Sequence, residues 1–377
     1  MHLAPFALER YFARYEFASR YLLCASDCDG PSLHALLAQA DEETTALWQS
    51  LTLGYTESQG LPILRQEIAN LYTPESPLLS PDDVLVVVPE EGILLTMLAL
   101  VKPGDHVIST FPGYQSLYEV ARGLGADLSF WRPREEEGWR FATEDLSTLL
   151  RPGSTRLVVC NFPHNPTGYL PPPATFRRIV DLTRRAGAVL FSDEMYRGLE
   201  LPGYSTLPSA VELSSGAIVL SGMSKTYGLP GLRLGWLVCR DTSILQICAS
   251  LKDYTTICTP APSEILALAA LRGRNQLLPA HRERVIYNLH LLAEFCARRP
   301  DLFQLIPPRA GTVCFPRLRC AVGAAQLCHE TAHRAAILLL PSTVYGYGDS
   351  HVRIGLGRVT FPDALAAFDE YLGAGGP

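Results

Sequence analysis

Between residues 84 and 239 the chain alternates short, predominantly apolar runs with helical ones, and few architectures accept that alternation. The apolar runs cover residues 84–88, 106–109, 157–161, 189–192, 217–220 and 234–239, with helical patterns at 93–100, 117–124 and 174–186 between them. A strand wetted on one face alternates polar and apolar residues, whereas a strand apolar almost throughout is buried on both faces. The expectation is therefore an α/β fold with a mostly parallel sheet covered by helices on each side. Ligands of such sheets bind at the carboxyl ends of the strands. The polar residues just past each run are the ones to weigh.

The flanks read differently. Leu8, Tyr11, Phe12 and Tyr15 fall at helical spacing until Asp27-Cys28-Asp29-Gly30-Pro31 breaks the pattern. Beyond residue 263 a long helical stretch is interrupted only near 272–275; strands follow at 309–318 and 336–340, and a last helix at 362–372. This predicts a smaller α+β domain over 276–377, with an N-terminal segment, 1–45, packing on it and a large domain over 46–275. The 47% of hydrophobic residues suffices for sizeable cores, and a net charge of −6 implies no basic face for nucleic acid. No run of eighteen apolar residues suggests a membrane span, and Met1-His2-Leu3-Ala4-Pro5 does not read as a signal peptide. The ten cysteines are scattered, with no Cys-x-x-Cys and no histidine cluster to complete a zinc site beside Cys24 and Cys28. They read as buried free thiols in a reducing cytoplasm.

Past the run at 217–220 comes Ser224-Lys225, then a glycine-containing turn, then Arg233. Lysine forms a Schiff base with an aldehyde cofactor, and arginine is shaped to hold that cofactor's phosphate, so pyridoxal phosphate is the first hypothesis. Asp193, past the run at 189–192, reads alone as a helix cap. Read with Lys225, it is the carboxylate that keeps a pyridine nitrogen protonated. Tyr196 then stands where it can donate to the ring oxygen. Asn165, between two turn elements, supplies an amide beyond what a turn needs. Tyr114 is either core or a stacking platform for a planar ring. Pro89-Glu90-Glu91-Gly92 opens a helix whose N–H groups suit a phosphate. Gly54-Tyr55 alone says only turn. Arg353, mid-strand, is either a salt-bridged surface residue or a bidentate grip for a substrate carboxylate. A phosphate-loop reading of Ser224-Lys225-Thr226 fails for want of a glycine before the lysine, and Gly355-Leu356-Gly357-Arg358 lacks the third glycine of a dinucleotide loop.

Taken in order, Gly54-Tyr55, Pro112-Gly113-Tyr114, Asn165-Pro166-Thr167-Gly168, Asp193-Glu194-Met195-Tyr196, Ser224-Lys225, Arg233 and Arg353 make the chain resemble the fold type I pyridoxal-phosphate enzymes, specifically the class I/II aminotransferases. The resemblance runs from about Gly54 to Arg358 and implies a seven-stranded, mostly parallel sheet. It implies that Lys225 holds the cofactor as an internal aldimine and then shuttles the α-proton. Asp193 would pair with the pyridinium nitrogen, Asn165 and Tyr196 would bond the ring oxygen, and Tyr114 would stack on the ring. Ser224, Arg233 and the backbone N–H groups of Glu91 and Gly92 would bind the phosphate. Arg353 would bind the substrate carboxylate, with Asn165 beside it. Tyr55 would reach the phosphate of a neighbouring subunit, which implies a homodimer with shared sites. The implied activity is transfer of an amino group between an L-amino acid and a 2-oxo acid. Elimination, cyclisation or racemisation on the same scaffold is the alternative. A non-catalytic regulator would carry a basic DNA-binding unit before Gly54, and the residues there are neither basic nor of that pattern.

Two positions depart from the family pattern. Many members carry a small-residue loop at Glu90-Glu91-Gly92; a carboxylate near a phosphate dianion costs about 1 kcal/mol in water and several in a drier site. These acids are expected either to be solvated helix-start residues or, for one of them, to meet a basic or amine-bearing substrate. Many members also carry a hydroxyl where this chain has Gly222, so one phosphate hydrogen bond, roughly 1.5–3 kcal/mol, is expected to be lost, with Ser221 as a partial substitute.

Overall fold

The computed structural model describes residues 2–72 and 79–375. Residue 1, residues 73–78 and residues 376–377, which fall within the expected domain limits, lie outside the described residues. Seven strands form the central sheet: β1 (Val84–Val87), β2 (His106–Thr110), β3 (Asp127–Trp131), β4 (Thr155–Asn161), β5 (Val189–Asp193), β6 (Ile218–Gly222) and β7 (Gly235–Val238). Their order is β1-β7-β6-β5-β4-β2-β3, and only β7 runs against its neighbours. The buried faces of β1, β2, β4 and β6 explain why their sequences read as apolar runs. The edge strand β3 escaped that reading. Its Asp-Leu-Ser-Phe-Trp sequence is exposed or half-buried at all but its last residue, so no continuous apolar run marks it.

The helix at 89–100 begins earlier than its apolar pattern, because Pro89 at its first position fixes a helical φ and needs no N–H partner. The C-terminal helices Ala261–Arg272 and Arg274–Arg298 part at Gly273. The strand expected over 309–318 is two short pieces, Val313–Cys314 and Arg317–Leu318, separated at Pro316, which has no N–H to give a ladder. The strand expected at 336–340 also divides. Ile337–Leu338 pairs in parallel with Tyr21–Leu22, while Leu340–Pro341 pairs with Val352–Arg353.

That first pairing binds the N-terminal segment to the C-terminal elements. A separate apolar core joins Leu23 and Cys28 to Val285, Phe295, Ile354 and Phe368. Gly355 and Gly357 are bare for the same reason. A Cβ at 355 would lie 1.7 Å from the Ala25 carbonyl oxygen, and one at 357 would lie 2.2 Å from that of Asp27. Residues 23–29 are thus laid directly against the strand Val352–Gly355, and this places the N-terminal segment over the carboxyl ends of the central sheet.

Candidate active site

A cavity of about 540 Å³ opens at those carboxyl ends. Tyr114, Asn165, Asp193, Tyr196, Ser224, Lys225, Arg233 and Arg353 all line it. Asn161 and Asp193 are partners at the last register position of β4 and β5, and the Asn161 amide donates to the Asp193 carbonyl at 3.1 Å. The Asn161 side chain also accepts from the Asn165 N–H at 2.8 Å, which ties the loop carrying Asn165 to the strand ends. Lys225 follows β6 by three residues, and its amine donates to the Ser26 hydroxyl at 2.9 Å.

The charges are tuned by burial. Asp193 is pushed up to about 7, with desolvation outweighing the Met195 N–H it accepts and the nearby Lys225 charge. Lys225 is pushed down by desolvation, partly opposed by Asp27. An amine that loses its proton more readily is the one that attacks an aldehyde. The Tyr196 and Ser224 hydroxyls are buried without a hydrogen-bond partner among the described residues. Buried polar atoms without partners are uncommon, and two of them facing one cavity mark groups that a ligand satisfies.

Arg353 is 1% exposed, so it is no surface residue. Its guanidinium donates to the Cys24 carbonyl at 2.7 Å and to the Tyr345 hydroxyl at 2.8 Å, and that hydroxyl donates to Asn165 at 3.1 Å. No carboxylate pairs with it among the described residues. A buried cation held only by neutral oxygens is poised for an anion. Arg233 sits at the cavity wall with φ +50, a left-handed backbone uncommon outside glycine.

Glu91, Gly92 and Tyr55 are not among the residues that line this chain's own cavity. The Glu91 carboxylate accepts from the Thr255 hydroxyl, from the Thr256 hydroxyl at 2.8 Å, from the Thr256 N–H at 3.2 Å and from the Val88 N–H at 3.2 Å. It secures a neighbouring loop and does not line the cavity. The Gly92 N–H already donates to the Val88 carbonyl at 2.9 Å, so the helix N–H groups still free are those of Glu90 and Glu91. Tyr55 is 89% exposed and outside the cavity. Glu90, by contrast, lines the wall beside Tyr114 and Ser116, with its carboxyl raised by burial.

Gly222 also finds its explanation. It faces Gly235 across β6 and β7, and a Cβ there would lie 2.8 Å from the Gly235 Cα and 3.0 Å from the Leu234 carbonyl oxygen. No side chain fits, and Ser221 is not among the lining residues.

The sequence reading gave no site role to the residues with which the N-terminal segment lines the cavity: Glu9, Phe12 and Glu16 from the helical stretch, then Ser26 and Asp27. Arg358 joins them, its Nη2 donating to both Asp27 carboxylate oxygens at 2.9 Å and its Nη1 to Asp29 at 2.7 Å. Glu9, Phe12 and Glu16 share one helical face, a signal that was available. Nothing in local pattern marks Ser26, because only the approach of Gly355 brings it there.

The sequence profile described as aminotransferase class I and II matches residues 20–364. Capreomycidine synthase of Streptomyces vinaceus is 32% identical over 285 residues, 75% of this chain and 72% of that protein. An aspartate aminotransferase of Geobacillus stearothermophilus is 25% identical, covering 82% of this chain and 80% of its own. The crystal structure of a pyridoxal-phosphate-dependent aminotransferase from Streptococcus suis superposes with a TM-score of 0.91 at 28% identity, covering 99% of each chain.

Proposed function

The chain belongs to the class I and II aminotransferases, pyridoxal-phosphate enzymes that move an amino group between an amino acid and a 2-oxo acid, and from that premise we propose what each cavity residue does. The cofactor, when bound, supplies an electron sink that acidifies the α-hydrogen of an attached amino acid. Lys225 is its anchoring amine and, once displaced, the base that takes the α-proton at Nζ. Asp193 offers its carboxylate to the ring nitrogen. Asn165 and Tyr196 donate to the ring oxygen, and Tyr114 covers the ring face. Ser224, Arg233 and the N–H groups of Glu90 and Glu91 receive the phosphate. Arg353 holds the donor's carboxylate and Asn165 lies alongside.

The observation that carries this reading is one cavity holding a buried arginine without a carboxylate, a depressed lysine, and two buried hydroxyls without partners. Lys225→Ala tests it: turnover and the visible absorbance of the lysine-bound cofactor should both vanish. Full activity in that variant overturns the mechanism.

The same reading takes 46–275 as the cofactor-binding domain and 276–377, with 1–45, as the smaller unit. The pairing of Tyr21–Leu22 with Ile337–Leu338 supports it. It also takes the active form to be a homodimer in which Tyr55 reaches the neighbouring subunit's phosphate. Its support is that Leu53, Tyr55, Tyr254 and Ile257 are large apolar side chains exposed on this single chain. A cytoplasmic location accords with ten cysteines that are all free thiols.

A second reading, elimination or cyclisation, is favoured by the likeness to capreomycidine synthase and by the carboxyls of Glu9 and Glu16 in the cavity, which aminotransfer leaves unused. An amino donor supplied without acceptor separates the two. Aminotransfer bleaches the cofactor absorbance once per site, whereas the alternative releases ammonia or a cyclic product catalytically.

A further inference from the structure

We propose that Ser26 is a positioning residue for the proton-carrying amine of Lys225, fixing the direction in which that amine faces the donor. The inference rests on the reading of Lys225 as the proton carrier. Lys225 Nζ must be released from the cofactor whenever it moves a proton, and Ser26 is the partner within reach of the released amine. A free lysine amine is a three-fold rotor on a flexible stem, with no preferred direction of its own. Here one N–H is committed to the Ser26 oxygen at 2.9 Å. With that N–H anchored, the amine is held in one orientation at the wall of the cavity that Ser26, Lys225, Asp193 and Arg353 all line.

The anchor is itself fixed. The Thr312 hydroxyl donates to the Ser26 carbonyl at 2.6 Å, and the Gly355 N–H donates to the Leu23 carbonyl at 2.7 Å. The bare Gly355 and Gly357 let residues 25–27 lie against the strand that carries Arg353. The groove that holds the donor's carboxylate and the hydroxyl that aims the lysine therefore move as one piece. The Tyr196 hydroxyl lies next to Ser26 without a well-formed hydrogen bond, and the Arg353 charge acts on it.

In the step served, the donor's α-C–H bond breaks, its electron pair stays with the donor, and the proton moves to Lys225 Nζ. Ser26 accepts from Nζ throughout and neither gains nor loses a proton.

Two measurements on Ser26→Ala and Ser26→Thr test this. In cofactor-free protein, the pH dependence of Lys225 acylation by acetic anhydride, read by peptide mass, should shift to lower pH in Ser26→Ala, because the ammonium loses an acceptor. It should return toward the native profile in Ser26→Thr. In cofactor-loaded enzyme, deuterium wash-in at the α-carbon from a pool of the protein L-amino acids in deuterium oxide should slow roughly tenfold in Ser26→Ala, the worth of one charge-assisted hydrogen bond, and recover in Ser26→Thr. An unchanged acylation profile overturns the contact. A shifted profile with native wash-in overturns its role in proton transfer. Failure of the underlying reading has a different signature, wash-in that survives Lys225→Ala.

Discussion

Burial pushes the Asp193 carboxyl up to about 7, and this has a consequence for the chain without its cofactor. An acid whose folded value lies above its unfolded value favours folding while protonated. Its contribution is complete below about pH 4 and lost as pH rises through about 7. The loss amounts to roughly 4 kcal/mol at most. Cofactor-free protein is therefore expected to melt at lower temperature at pH 8 than at pH 5, and Asp193→Asn should remove most of that difference. The same substitution should lower turnover of the loaded enzyme by roughly a hundredfold or more, because the ring nitrogen loses its carboxylate. Stability gained with activity lost is the outcome to look for in paired melting and rate measurements. If Asp193→Asn instead destabilises cofactor-free protein at pH 8, the bond from the Met195 N–H outweighs the cost of burying the carboxylate.

At the scale of elements, the site depends on how closely the helix Pro89–Leu100 approaches the sheet. A Cβ at Gly92 would lie 3.0 Å from a Val87 methyl and 3.1 Å from a Leu220 methyl; one at Gly235 would lie 2.9 Å from the Pro89 ring. Glycines at 92, 222 and 235 are what let the helix N-terminus sit low against β6 and β7. Gly222→Ser, which restores the hydroxyl common in relatives, is accordingly expected to cost about 1–3 kcal/mol of stability from overpacking. It should bring no gain in cofactor affinity. Thermal melting and a cofactor titration check both halves, and a tighter-binding Gly222→Ser of native stability would contradict the packing account. What was readable in advance divides along the same line. Asp193 and Lys225 follow apolar runs, so their place at the strand ends was legible from local pattern. The closeness of Gly222 to Gly235 is a contact between antiparallel neighbours, and no single segment records it. The place of the Glu91 carboxylate was illegible for a related reason: its partners, Thr255 and Thr256, lie far along the chain. Ser26 was invisible because three distant elements converge to place it.

For the whole molecule, the proposed pairing of two chains makes a prediction of its own. If Tyr55 completes the neighbouring site, Lys225→Ala and Tyr55→Ala chains should each be impaired when pure. Mixed under conditions that allow exchange, they should recover activity, because one site in each mixed pair then has both native residues. Turnover measured against mixing ratio, with sedimentation to report the assembly, decides it; no recovery despite exchange removes Tyr55 from the site.

The joining of the two ends of the chain bears on when the site comes into being. Ser26 leaves the ribosome long before Arg353, yet the second is laid against the segment that carries the first. A nascent chain can complete β1 to β7 and present Lys225 and Asp193 well before residue 353 is made. Such a chain holds an exposed amine and a carboxylate with no wall on one side and no grip for a substrate. Cofactor capture can then precede competence, and the arrival of Arg353 is what turns a reactive lysine into a selective one.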